Sequence, residues 1–340
     1  MNRHDLAKPY VLFIGDVEHP AYAKTAFGLR DWVPEACVGQ LRLSDRAVDI
    51  GLPDMTLAQA VEAGAKTLVI AIAPMGGQLD PDWLETITAA LDVGLDVAAG
   101  LHERLAEIPE IAEASRRSGS RVHDVRQTDM ALKVGTGARR TGRRLLTVGT
   151  DCALGKKYTA LAIAAEMRRR GIDADFRATG QTGILIAGQG LAIDHVVADF
   201  ISGAAEALSP AGAPDHWDVI EGQGSLFHPA YAGVTLGLVH GSQPDAMVLC
   251  HDPGRESLLG LPHMPLPALH DAILAYEAAG RLTNREARVV GIALNTSSLA
   301  AADARSLIEA LSLTYGMPCC DPVRFGIGRL VDAIERTGRQ

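Results

Sequence analysis

The run Gly149-Thr150-Asp151-Cys152-Ala153-Leu154-Gly155-Lys156-Lys157 carries the residue types that cradle an anion. Gly149 and Gly155 permit backbone turns that a Cβ obstructs, so successive amides can converge on phosphate oxygens. Lys156 adds a point charge that reaches a terminal phosphate. Lys157 stands where ATP-hydrolysing phosphate loops place a Ser or Thr hydroxyl on Mg²⁺, and an ammonium cannot ligate a cation. The pattern therefore predicts a phosphorylated ligand held by residues 149–157 and the following Tyr158, without the usual metal ligand.

Further candidates sit where apolar runs end. Asp218-Val219-Ile220-Glu221-Gly222-Gln223-Gly224-Ser225 delivers a carboxylate into a glycine-rich turn, which suits Glu221 to base, amine-binding or metal-bridging work; capping of the turn is the plainer reading. Ser225 is included with the substrate contacts. Thr179, Gln181 and Thr182 in Ala178-Thr179-Gly180-Gln181-Thr182-Gly183 form a polar rim expected to touch substrate. Asn295 reads a base or ribose of the cofactor, or caps a helix. His228 and His240, beside glycine or proline turns, are candidate general bases. Asp199 is a candidate base or an N-cap. Arg255 and Arg324 either grip a substrate carboxylate or form surface ion pairs.

These residues need rigid elements behind them. Strands are expected over 10–15, 67–73 and 96–99, with a turn at 74–77 and helices over 56–63, 82–90 and 108–117. Continuous apolar strands alternating with helices imply a parallel sheet covered on both faces. No Gly-x-Gly-x-x-Gly follows the first strand, so NAD is not expected. A polar, glycine-rich stretch at 135–142 marks a boundary, dividing the chain into a Rossmann-like domain, 1–135, and a P-loop-like α/β domain, 136–340. In the second, strands over 144–148, 174–178, 217–220, 245–250 and 288–294 alternate with helical patterns, and helices close the chain over 303–313 and 327–336.

The chain has 340 residues, 47% hydrophobic and 21% charged, which is the composition of a folded enzyme rather than a disordered chain. Its formal charge of −9 argues against nucleic acid as the main partner. Five cysteines without Cys-x-x-Cys spacing, and histidines without His-x-x-x-His spacing, predict neither a disulfide framework nor a metal site. No apolar run is long enough to span a membrane and no signal-peptide core opens the chain. A cytoplasmic homo-oligomer acting on a small molecule is the resulting expectation.

Gly149-Thr150-Asp151 before Gly155-Lys156, and Glu221-Gly222-Gln223-Gly224, resemble the loop and strand end of dethiobiotin synthetase and its relatives. The whole chain more closely resembles a two-domain family associated with D-glutamate N-acetyltransferases of the DgcN type. The resemblance runs from Phe13-Ile14-Gly15 through Gly100-Leu101-His102 and Asp124-Val125-Arg126 to Asp321-Pro322-Val323-Arg324. It implies acetyl transfer from acetyl-CoA to the amino group of D-glutamate. Coenzyme A carries phosphates that suit the loop, and two adjacent lysines offset its charge. The base is then one of Asp199, Glu221, His228 and His240. The alternative is a Mg·ATP-dependent ligase or kinase like dethiobiotin synthetase, with Asp151 or Glu221 replacing the missing hydroxyl.

Overall fold

A computed structural model describes residues 2–73, 77–128 and 130–337. The turn expected over 74–77 falls mostly outside the described residues. The chain forms two compact units, Met1–Met130 with Gly180–His195, and Ala131–Thr179 with Val196–Gln340.

The first unit is built on five parallel strands, β1 (Tyr10–Gly15), β2 (Cys37–Arg42), β3 (Thr67–Ile70), β4 (Asp96–Ala99) and β5 (Val122–Asp124), in the order β2-β1-β3-β4-β5. β1 and β3 are buried along their whole length, as strands covered on both faces must be. The crossovers carry α1 (Lys24–Trp32), α2 (Leu57–Glu62), α3 (Leu84–Asp92) and α4 (Pro109–Ser118). Local chemistry sets their ends. Thr56 and Gln59 form a reciprocal capping box at the start of α2. Gly119, at φ +78°, stops α4 just after Arg116 and Arg117, which complement the negative end of its dipole.

The second unit begins with β6 (Arg143–Gly149), α5 (Lys156–Arg169) and β7 (Ala174–Arg177). α6 (Gln181–Ala187) follows in sequence but packs in the first unit. The second unit resumes with α7 (Ile201–Leu208), β8 (Trp217–Ile220), α8 (Ala232–Ser242), β9 (Ala246–His251), α9 (Leu269–Arg281), β10 (Val289–Leu294), α10 (Ala301–Tyr315), β11 (Cys319–Cys320) and α11 (Gly328–Thr337). Its six strands are parallel in the order β11-β10-β9-β6-β8-β7. From β6 the chain passes to the edge strand β7, returns to β8 beside β6, then crosses to β9, β10 and β11 on the other side. Ligands bind beyond the carboxyl ends of strands at such a reversal, and here the end of β6 is Gly149. The α/β architecture is as expected, a Rossmann-like sheet unit and a P-loop unit.

Residues 180–195, expected in the second domain, pack instead in the first unit. Thr182 Oγ1 lies 2.9 Å from Thr25 Oγ1 of α1, and Gln189–Gly190 pairs antiparallel with Asn2–Arg3. The glycine-rich 135–142 stretch is a largely exposed strap hydrogen-bonded to the second unit. The Glu206 carboxylate of α7 accepts from the Thr136 and Gly137 amides at 2.9 and 2.8 Å. α8, with three glycines, forms a helix against its weak propensity. Two of them admit α7: a Cβ on Gly241 would lie 2.1 Å from Ser202 O, and one on Gly237 2.5 Å from Ile201 Cγ2.

Candidate active site

The Gly149–Lys157 loop crosses the end of β6 between β8 and β9. Ala153 at φ +53° and Gly155 at φ +102° bend it into the start of α5. No side chain caps that helix, so its first amides face the loop's own ligand space. Lys156 is buried and its Nζ donates to Asp151 O at 2.7 Å. Burial pushes the Lys156 ammonium below its ordinary pKa, against the opposing charges of Cys152, Cys250 and Asp151. Thr150 and Leu154 are buried, which leaves Cys152, Ala153, Gly155, Lys157 and Tyr158 to meet a ligand. The Lys157 ammonium lies 5.3 Å from the Tyr158 ring centroid.

Asp151 anchors the loop from below. Its Oδ2 accepts from Arg255 Nη1 and from the Leu259 amide, both at 2.7 Å, while Oδ1 is buried without a hydrogen-bond partner. Arg255 Nη1 also donates to Cys152 O at 2.7 Å. Arg255, expected on a substrate carboxylate, is thus engaged with the loop itself. Leu259 ties in a further residue, because its carbonyl lies 3.2 Å from His228 Nε2. Asp151, Cys152 and His228 consequently place a carboxylate oxygen, a thiol and a ring nitrogen within 4.8 Å of one another. Such a set can chelate a soft cation, a cluster invisible to motif spacing. The nearby Lys156 and Arg255 charges oppose a cation there.

The turn after β8 closes the other side. Gly222 has no room for a side chain: a Cβ would lie 1.6 Å from Thr147 O and 3.1 Å from Lys156 Cδ. Glu221 is buried and accepts from the Thr179 amide at 2.9 Å, while Thr179 Oγ1 donates to Glu221 O at 2.7 Å. Thr179 and Ser225 are fully buried, and Ser225 Oγ accepts from the Phe227 amide at 3.2 Å, so both help to hold this turn together. Tyr276, which sequence reasoning passed over, joins the two halves. Its hydroxyl donates to Gly149 O at 2.7 Å and accepts from the Leu226 amide at 3.2 Å. A tyrosine inside α9 carries no motif that would single it out. His251 was also missed; its Nδ1 lies 3.0 Å from Thr150 Oγ1, and burial lowers its pKa.

Other candidates fall elsewhere. His240 occupies the last turn of α8, not a strand-end turn. The Arg140 guanidinium, just before β6 begins, donates to Gly241 O, so His240 sits near the opposite end of β6 from Gly149. Asp199 is exposed in a 3₁₀ turn before α7, whose N-cap is Phe200. Asn295 Oδ1 accepts from Ser297 N at 3.3 Å within a turn and caps no helix, since the N-cap of α10 is Ala300; Arg324 Nη1 donates to the carbonyls of Thr296 and Leu299 at 2.5 and 3.0 Å.

Gln181 and Thr182 belong to the first unit. Gln181 lines a cavity of about 200 Å³ there with Gly100, His102 and Arg126. With its amide oriented to satisfy both ends, its nitrogen donates to Gly100 O at 2.9 Å and its oxygen accepts from Arg126 Nη2 at 3.1 Å. Arg126 also pairs with Asp194.

Two family models match this chain: a domain of unknown function described as the DUF1611_C P-loop domain over residues 133–331, and the DUF1611_N Rossmann-like domain over 41–128. A protein from Pseudoalteromonas sp, named D-glutamate N-acetyltransferase, is 48% identical over 95% of this chain and 97% of its own length. Another of that name, from Tritonibacter scottomollicae, is 47% identical over 96% of this chain and 98% of its own. The crystal structure of a DUF1611 family protein from Anabaena variabilis superposes with a TM-score of 0.87 at 34% identity, covering 96% of this chain and 99% of that one. The chain belongs to the DUF1611 family and joins its Rossmann-like N-terminal domain to its P-loop C-terminal domain.

Proposed function

We propose that this protein is a D-glutamate N-acetyltransferase that takes its acetyl group from acetyl-CoA. The reading rests on identity of 47–48% with two enzymes of that name across nearly their full lengths. The loop face of the second unit is the acetyl-CoA site. An uncapped helix N-terminus and Lys156 favour negative charge there, and the position that would serve Mg²⁺ is Lys157. Of the four candidate bases, His228 stands beside the loop, and Glu221 is occupied in joining two turns.

The chemistry asked of the site is modest. The amino group must reach the acetyl carbonyl as the neutral amine, and a base must take the proton it sheds. Amides facing the carbonyl oxygen stabilise the charge that develops on it. The same reading carries the expectation of a cytoplasmic homo-oligomer, which fractionation and light scattering test.

Purified protein incubated with acetyl-CoA and D-glutamate should release CoA thiol and form N-acetyl-D-glutamate, read by thiol titration and mass spectrometry. L-glutamate serves as the stereochemical control. ATP turnover with D-glutamate, without CoA release, would instead support the ligase-type alternative and reject this one.

A further inference from the structure

Resting on acetyl-CoA as donor, we propose that Cys152 is the first acetyl acceptor, so that the group passes through an acetyl-Cys152 thioester before reaching the amine. Three observations meet at this thiol. Its Sγ, a His228 ring nitrogen and an Asp151 carboxylate oxygen lie within 4.8 Å of one another. The base and the carboxylate are buried, at 4% and 0% exposure, whereas Cys152 is half-buried on a loop whose next residue, Ala153, is exposed. Desolvated partners and a reachable nucleophile are what acyl transfer through sulfur requires.

Two cationic side chains and a helix N-terminus surround this loop together with the Asp151 carboxylate. Arg255 donates to the Cys152 carbonyl and to Asp151, Lys156 lies in the same loop, and the α5 N-terminus begins four residues on. Helix N-termini and neighbouring cations stabilise sulfur anions. The other cysteines lie in different settings: burial pushes the Cys37 and Cys250 thiols up to about 11. His228 is the base of this cluster. Its Nε2 donates to Leu259 O at 3.2 Å and its Nδ1 accepts a long bond of 3.3 Å from the Ala230 amide, a bond the ring gives up when Nδ1 takes a proton. A separation looser than a hydrogen bond is usual before substrate binds.

The first step transfers the Cys152 proton to His228, forms the Sγ–acetyl bond, breaks the acetyl–CoA bond and returns the proton to the departing CoA sulfur. One thioester replaces another, so neither oxidant nor energy source is needed. In the second step the neutral amine of D-glutamate forms the amide bond, the Sγ–acetyl bond breaks, and the amine proton passes through His228 to Cys152. The α5 amides then face the acetyl oxygen. Because the pantetheine arm separates the thioester from the phosphates, the phosphates lie outside the loop, in contrast to the expectation from sequence.

The test loads the intact protein with acetyl-CoA in the absence of amino acid. One acetyl group should appear by intact mass, map to Cys152, and leave on adding D-glutamate or neutral hydroxylamine. Labelled CoA should exchange into acetyl-CoA without D-glutamate, and initial-velocity plots should be parallel. Cys152→Ala should abolish loading and exchange and lower turnover more than about 100-fold. Cys152→Ser, checked by its melting curve, separates loss of chemistry from loss of fold. Near-normal turnover by Cys152→Ala, absence of exchange in a turning-over enzyme, or loss of activity to a chelator reversed by zinc would each overturn the thioester while leaving the acetyltransferase reading intact. Loading of Cys152 without formation of N-acetyl-D-glutamate would have the opposite meaning.

Discussion

Tyr276→Phe isolates one oxygen atom. The residue is fully buried in α9, and burial, opposed by the Leu226, Ser225 and Gly149 bonds, pushes its phenol up to about 12. It is therefore a neutral hydroxyl over the working pH range, donating to Gly149 O and accepting from Leu226 N at 2.7 and 3.2 Å. The phenyl ring of the variant keeps the packing, so the effect is polar. Losing the bond to Gly149 O costs about 1 kcal/mol, and a stranded Leu226 amide adds about 1–3, for a total of roughly 2–4 kcal/mol. Both partners flank the site, one at the start of the loop and one two residues before His228. If about 1.4 kcal/mol of that loss reaches the transition state, kcat/KM falls roughly tenfold. Urea unfolding followed by circular dichroism, together with steady-state acetyl transfer, reads both quantities. Destabilisation below about 0.5 kcal/mol with unchanged kcat/KM would refute the bridging role, since surface-like changes have that size.

Gly222→Ala should destabilise the second unit by about 3 kcal/mol or more, because backbone meets the new Cβ at 1.6 Å and no rotamer relieves it; an unchanged melting temperature would show that the strand ends can part freely. Lys156→Met should lower kcat/KM for acetyl transfer by roughly tenfold, because the buried ammonium at the start of α5 offsets negative charge developing at the loop, and an unchanged kcat/KM would place the reacting groups elsewhere. Burial lowers the His216 pKa, but hydrogen bonds to Asp173 and Asp218 outweigh it and leave the folded value above 6.5. Its contribution to stability is thus full below pH 6.5 and lost as pH rises through the raised value. The stability gap between wild type and His216→Gln should therefore narrow with rising pH across that window, and a pH-independent gap would contradict the linkage.

Much of the scaffold was legible because parallel strands declare themselves as continuous apolar runs. The expected strands at 10–15, 96–99 and 217–220 coincide with β1, β4 and β8. α8 was hard to see because its glycines lower local helix propensity, and the gain they bring, close approach of α7, comes from a segment distant in sequence. The same difficulty hid Tyr276, whose partners lie on two other segments, and misplaced His240, whose neighbourhood depends on the direction in which α8 crosses the sheet.

By itself the sequence determined the strand, the bent loop and the helix that follows. Those rest on contacts within about one turn of chain: apolar continuity, Gly155 where φ is positive, and Lys156 at the helix start. Only the tertiary structure decided which side chains meet there. The reversal of strand order at β6 brings the turn after β8 and the segment after β9 that carries Arg255 and Leu259 to the same loop, so Leu259 can hold Asp151 and His228 together beside Cys152. Tertiary packing also places α6, with Gln181 and Thr182, in the first unit. Local propensity acts through neighbours along the chain, whereas a site is assembled by crossovers whose ends no local pattern records.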